Sequence, residues 1–376
     1  MSKFTNLKQL GLLFGLVGAC VSGYAADGKN TDKNCKTTCR DKVREECKSL
    51  CFAGPTLDTA WDLELSAAAI YEQVSAQGAE IGLKTASKTE VRYLSEAVGQ
   101  APVETMAWGF KVALALKTNH DDWKFAARYT NLRTLTQDTD LDTAYGGGYF
   151  PTMYASATIT NLNGNVPLSF QNLRTGNKTQ LNTLNVYLLR PTLYTSHLEV
   201  SPYFGLDLAI TRRRQVITFN NENPTPTLYT NGGYYRVYDN NSFWGVGPMG
   251  GIATNWHVGY DMSIYADGYI ALTYGQSNSH SQNFSYALTA PAVFTPTDSS
   301  MSSALYMFSP EVNAQLGLSW IHLFEDDCGA LSFKIGYEAA YYFHVNRTII
   351  NGPAYLIPAG NGIGVQGLVL EGKLEF

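Results

Sequence analysis

The sequence has no run of about 18 consecutive apolar residues, which excludes a bundle of membrane-spanning helices. The weakly charged stretch Asn241 to Ala266 is interrupted only by Asp261, but Gly245, Gly247, Pro248, Gly250, Gly251 and Gly259 break it as a helix. Charge is scarce too. Only 16% of residues are Asp, Glu, Lys or Arg, against roughly 25% in soluble domains. The formal net charge of -5 gives no global basic surface, and no basic stripe interleaved with aromatics occurs, so nucleic acid is excluded as a partner. Metal and cofactor motifs are missing as well. The cysteine spacing is not that of a zinc knuckle, and Gly146-Gly147-Gly148 lacks the Lys and Ser/Thr of a phosphate loop, so it reads as outer loop.

What is present is apolar residue in quantity, finely dispersed. The 376 residues are 45% hydrophobic and 12% aromatic, mixed with 34 Gly and 24 Tyr. At the N-terminus, Lys3 and Lys8 precede the apolar run Leu10 to Ala19, and Gly23-Tyr24-Ala25 offers small residues where a signal peptidase reads. Residues 1–25 are therefore expected to be a secretory signal peptide, whose removal takes two lysines and no acid. Val17-Gly18-Ala19-Cys20 also resembles a lipoprotein box with Cys20 as the acylated residue, but a conventional cleavage site follows within a few residues.

Export makes disulfides permissible. Residues 26–57 form a Cys-rich segment in which Cys35, Cys39, Cys47 and Cys51 give a CxxxC at each end. As a helix, each pair places two thiols on one face. Cys328 is the fifth mature cysteine, and an odd number leaves at least one without an intrachain partner, so self-association through disulfides is one reading and local pairing the other.

From residue 58 to 376 the pattern alternates with period two. Trp61, Leu63, Leu65, Ala67, Ala69 and Tyr71 oppose Asp62, Glu64 and Ser66, and Trp108, Phe110, Val112 and Leu114 oppose Lys111 and Ala113. Phe125, Ala127 and Tyr129 oppose Lys124 and Arg128. Phe204, Leu206, Leu208 and Ile210 oppose Tyr203, Gly205, Asp207 and Ala209. The pattern returns around Ile264, Leu316, Ile335 and Leu370, whereas Asn241 to Trp256 is ambiguous. These are strands long enough to cross a membrane at a tilt. Aromatics at the ends of the apolar faces, alternating short and long connections, and a terminal Phe376 closing an amphipathic strand all fit an outer-membrane sheet, which must close to leave no edge in lipid.

The expected fold is all-β: a transmembrane antiparallel β-barrel of about ten strands, within roughly eight to fourteen, behind a short helical periplasmic Cys-rich segment. Short turns are expected at 118–122, 195–199, 257–260 and 325–330, and long outer loops near 73–104, 136–180, 214–240, 275–304 and 346–362. The segment between Thr136 and Lys178 has room for a further hairpin, around Met153 to Thr160 and Val166 to Phe170, which would make about twelve strands.

NSFWGVGPMGGIATNWHVGYDMSIYADGYIALTYG, EVNAQLGLSWIHLF and the ending GIGVQGLVLEGKLEF resemble the Legionella and Chlamydia-related major outer membrane protein family of pore-forming proteins. The resemblance covers most of 58–376 and is strongest from Asn241. It implies a barrel acting as a porin or surface antigen, with some relatives rich in disulfides, and it brings no catalytic residue.

For a porin, the informative residues are charges on the lumen face: Asp62, Glu64, Lys111, Lys124, Arg128, Asp207, Asp267, Glu311, Lys334, Glu338, Glu371 and Lys373. Facing lipid, a basic residue at the midplane would cost about 2–4 kcal/mol. They either line a water-filled pore with weak cation preference or neutralise one another across a plugged lumen. His120, His197, His257 and His322 fall near short turns and His280 in an outer loop. His344, read on the polar face at the outer rim, is the one candidate for a rim protease, without the paired constellation such chemistry needs. Arg212-Arg213-Arg214 ends a strand where it meets anionic lipopolysaccharide or marks the interface. The expected partners are outer-membrane lipid, lipopolysaccharide and small hydrophilic solutes. Passive diffusion of such solutes is the expected function, and a plugged structural or adhesive barrel the alternative.

Overall fold

A computed structural model describes residues 61–76, 82–85, 98–100, 105–118, 123–141, 148–151, 172–193, 195, 197–259, except 221–233, and 261–289, 293–323, 330–351 and 356–375. The chain divides into two units, Met1–Phe52 and Ala53–Phe376, and the described residues all belong to the second. The signal peptide, the helical Cys-rich segment, all five mature cysteines and the hairpin expected at 153–170 lie outside the described residues.

The strands in chain order are β1 (Trp61–Ala76), β2 (Gly82–Thr85), β3 (Val98–Gln100), β4 (Met106–Thr118), β5 (Lys124–Leu141), β6 (Gly148–Pro151) and β7 (Asn172–Leu189). They continue with β8 (Thr192–Leu193), β9 (Leu198–Asn220), β10 (Tyr234–Gly259), β11 (Met262–Thr289), β12 (Val293–Leu323), β13 (Ala330–Asn351) and β14 (Leu356–Glu375). Ten of them close an antiparallel barrel in which each pairs with its neighbour in the chain and β14 returns to β1. Glu64 opposite Glu375 marks that seam. The short β8 adds to the start of β9, and β2, β3 and β6 form a separate small sheet, so Gly148 begins a strand.

Alternation sets the two faces. Leu65, Trp108, Phe125, Leu206, Ile270, Phe308, Ile335 and Leu370 stand outward and exposed, while Arg128, Asp207, Asp267, Glu311 and Glu338 turn into the lumen. An exposed apolar belt running round the whole barrel is untenable in water and is what lipid requires. Its rim toward the longer connections carries aromatics: Trp108 packs on Tyr71 at 4.8 Å, and Tyr274 on Phe308 at 4.9 Å. At the opposite end the turns are short. Between β10 and β11 the chain reverses through Gly259 (φ 121°) and Asp261 (φ 60°), and the amide of Leu198 donates to the Thr195 hydroxyl at 3.0 Å before β9.

The outer loops expected at 275–304 and 346–362 are instead continuous hairpins. β10, β11 and β12 run 26, 28 and 31 residues, far beyond the about 9–11 needed to span. Beyond the belt both faces are polar, so apolar alternation stops while the hydrogen-bonded ladder goes on: Ser277, Ser279, Ser281 and Asn283 still point inward and are buried. The ambiguous glycine-rich run is part of β10. Gly251 is small because the Tyr203 ring occupies the space of its Cβ, and Gly336 is small because the Tyr265 hydroxyl does the same.

Candidate functional site in the barrel lumen

At the short-turn end the lumen opens as a cup of about 160 Å³ walled by Glu64, Lys111, Arg128, Asp267, Lys334, Glu371 and Lys373. These charges satisfy one another across strands. Lys124 and Lys373 both donate to Glu64, the latter at 3.4 Å, and Lys373 also reaches Glu375. Arg128 donates to Asp267 at 3.2 Å and to the Tyr187 hydroxyl at 3.1 Å, and the Tyr203 hydroxyl donates to Asp267 at 2.6 Å. Lys334 lies 3.9 Å from Glu371 and 5.3 Å over the Tyr265 ring.

Deeper, Lys111 pairs with Glu338, which also accepts from the Asn313 amide at 2.7 Å. Asp207 accepts from Asn185 at 2.7 Å and Glu311 from the Tyr269 hydroxyl at 2.6 Å; among the described residues neither has a cation within ion-pair distance.

Beyond this layer the inward faces are mixed, with an apolar cluster standing among buried polar residues such as Glu72, Thr211 and Asn241. Ile70, Leu132, Leu181, Phe243, Tyr342, Val345, Ile363, Val365 and Val369 form one buried cluster on the inward faces of six strands. Ile70 is 0% exposed and Leu132 and Phe243 1% each, so water does not reach them. At this level side chains pack against one another inside the barrel.

A closed barrel with a lipid-facing belt free of charge and short turns at one end is the architecture of bacterial outer-membrane proteins. The family model described as "Legionella pneumophila major outer membrane protein precursor" matches residues 53–376. The chain belongs to this family. As a Legionella major outer membrane protein family member it is a protein of the bacterial outer membrane, and barrels of this kind keep their short turns periplasmic. The cup therefore opens toward the periplasm and the long hairpins stand outside.

The family member is similar to three solved barrels. The outer membrane protease OmpT from Escherichia coli is 10% identical, covering 85% of this chain and 97% of that one, with a TM-score of 0.34. A major outer membrane protein from Thermus thermophilus is 11% identical, covering 85% and 100%, with a TM-score of 0.26. The P. putida toluene transporter TodX is 10% identical, covering 84% and 89%, with a TM-score of 0.25. No curated protein matches.

Of the charged residues singled out in the sequence, Glu64, Lys111, Lys124, Arg128, Asp267, Lys334, Glu338, Glu371 and Lys373 meet in the cup or just above it. Asp207 and Glu311 stand in the layer between cup and apolar cluster, and the Asp62 side chain is outside the described residues. His344 corrects its expectation. A register shift between Tyr342 and Asn346 puts His344 at φ 60°, exposed, while the next two residues, Val345 and Asn346, are both buried. The bulge takes His344 off the buried inward face that its strand phase gave it. His280 lies in strand β11, with Nδ1 2.7 Å from the Ser302 hydroxyl.

Three lumen groups were missed by reading charges in short runs. Glu72 is 2% exposed and shares a rung with Glu338 across β14. Its phase with Glu64 was the signal, hidden because Ala68 and Ile70 between them look like belt residues. Arg213 points inward, donating to Gln215 at 2.9 Å and Asn177 at 3.3 Å, whereas Arg212 and Arg214 are exposed. Asp239 accepts from Asn241 at 2.7 Å. Simple alternation divides the arginine triplet in this way.

Proposed function

We propose that the protein is a lumen-closed structural barrel of the outer membrane, a rigid post that holds long polar hairpins above the cell surface. The observation that supports this reading is the buried apolar cluster: Ile70, Leu132, Phe243 and Ile363, each at most 1% exposed, pack inside the barrel. A diffusion pore needs a continuous polar path, and in ten strands there is little width for one once large side chains point inward.

The test is planar-bilayer conductance of the refolded protein, alongside a variant in which Ile70, Leu132 and Phe243 are alanine. A silent wild type and a conducting variant are expected. Discrete wild-type channels would overturn the closed reading. The diffusion-pore reading rests on the charge-lined cup, which would serve as a weakly cation-preferring vestibule if the apolar cluster moved.

A further inference from the structure

Immediately outside the belt, the outward faces of β5, β7 and β9 carry four cations. Ladder register places them in two adjacent rungs. One rung reads Arg133, Gln180, Arg212 and Ser242, and the next Leu135, Lys178, Arg214 and Asn240. Neighbouring strands are about 4.8 Å apart and same-face residues on one strand about 7 Å, so four positive charges share a patch on the order of 10 Å across. Lys178 and Arg214 are direct cross-strand neighbours, a like-charge pairing that weakens a sheet.

Nothing in the described part of the protein relieves this repulsion. Arg133, Arg212 and Arg214 are exposed, and none of the four has an ion pair or hydrogen bond with another described residue. The described outward positions of these strands and of β10 hold no carboxylate, because Asp207 and Asp239 face the lumen. Arg213, which does have partners, lies on the other face. The next rung toward the membrane is Asn131, Asn182, Ile210 and Trp244, the one after it Tyr129, Leu184, Leu208 and Val246, and Leu135 stands 64% exposed within the patch. The surface is cationic above and greasy below.

We infer that this patch docks an anionic outer-leaflet lipid carrying two phosphates on a sugar headgroup, its acyl chains lying along the belt. Guanidinium groups bind phosphate oxygens through paired N–H donors, and two rungs of cations suit two phosphates. A free phosphate would use the cations but not the apolar surface beneath them, so the lipid is the occupant. The inference is independent of whether the lumen conducts.

The experiment compares full-length wild type with the Arg133→Gln, Lys178→Gln, Arg212→Gln, Arg214→Gln variant, both refolded in neutral detergent. Bisphosphorylated lipid A, its dephosphorylated form and inorganic phosphate are the probes, and native mass spectrometry reads retained lipid. Heat-modifiable gel mobility verifies folding, which exposed substitutions should leave intact. The expected result is at least about tenfold weaker retention of bisphosphorylated lipid A by the variant, little retention of the dephosphorylated lipid by either, and no displacement by millimolar phosphate. Equal retention by the folded variant would overturn the inference, as would displacement by inorganic phosphate.

Discussion

Replacing Lys111 by Met asks how dry the lumen is. Lys111 and Glu338 pair with side chains 11% and 6% exposed, and Glu72, at 2% exposure, lies on the same rung as Glu338. Removing the lysine leaves two carboxylates in a closed interior with no cation beside them. Breaking a buried pair from one side costs about 3–5 kcal/mol, whereas losing a solvent-exposed pair costs about 0–1 kcal/mol. Lys111→Met is therefore expected to lower stability by about 3–5 kcal/mol, and Glu338→Gln, which keeps an acceptor for Asn313, by a comparable amount. The double variant should lose about 2–3 kcal/mol less than the sum of the two. Urea unfolding of protein refolded into lipid vesicles, followed by tryptophan fluorescence, measures all four. Single-variant losses below about 1 kcal/mol would refute the reasoning, because they would mean that water solvates the stranded carboxylates and fills the barrel.

Further expectations follow from the two faces and the outer hairpins. Leu206→Arg, on the lipid face, should cost about 2–4 kcal/mol, while Ser300→Arg, exposed beyond the belt, should change stability by less than about 0.5 kcal/mol; equal effects would contradict the placement of the belt. Gly336→Val drives a side chain into the space of the Tyr265 hydroxyl and should destabilise by about 1–3 kcal/mol, read as a lower urea midpoint. Above the membrane, burial raises Asp239 from 3.8 to about 6, against the opposing pull of Arg213, the Asn241 hydrogen bond and His280. The folded protein thus favours the protonated acid, and stability should fall by about 3 kcal/mol as pH rises from about 4 to about 6. Asp239→Asn should flatten that slope, and identical pH profiles for variant and wild type would count against it. Electrophoresis of isolated outer membranes with and without reductant tests cross-linking through Cys35, Cys39, Cys47, Cys51 and Cys328, for which a shift to oligomers is expected; identical migration would rule it out.

The faces were legible because period two leaves little choice where one side meets lipid. From Phe204 to Ile210 every second residue is large and apolar and the others are Gly205, Asp207 and Ala209, so lipid and lumen sides are unmistakable. Legibility failed where that contrast vanished. In the hairpin of β11 and β12 both faces are polar, so its strands looked like loop. At Ala68 and Ile70 both faces are apolar, so the inward cluster was indistinguishable from the belt and the lumen was expected to hold water. At His344 a bulge takes four steps on β13 against two on β14, displacing one side chain before the same phase resumes at Asn346, which no alternation rule anticipates.

The seam between β14 and β1 bears on how the barrel is made. Each of the other nine ladders joins strands that follow one another in the barrel's chain order, whereas this one brings Glu64 to Glu375 and Lys373 to Glu64 across nearly the whole folded length. Local hairpins can form early, but a contact with so much chain between its ends bears the largest closure entropy and is made last. The charges that fasten it sit at the periplasmic lip, on the side from which an outer-membrane chain arrives. The Glu64, Lys124, Lys373 and Glu375 cluster then acts as a clasp, engaged only when first and last strands are in register, so a shifted seam would leave buried charges unmatched and mark the misassembled barrel as unstable.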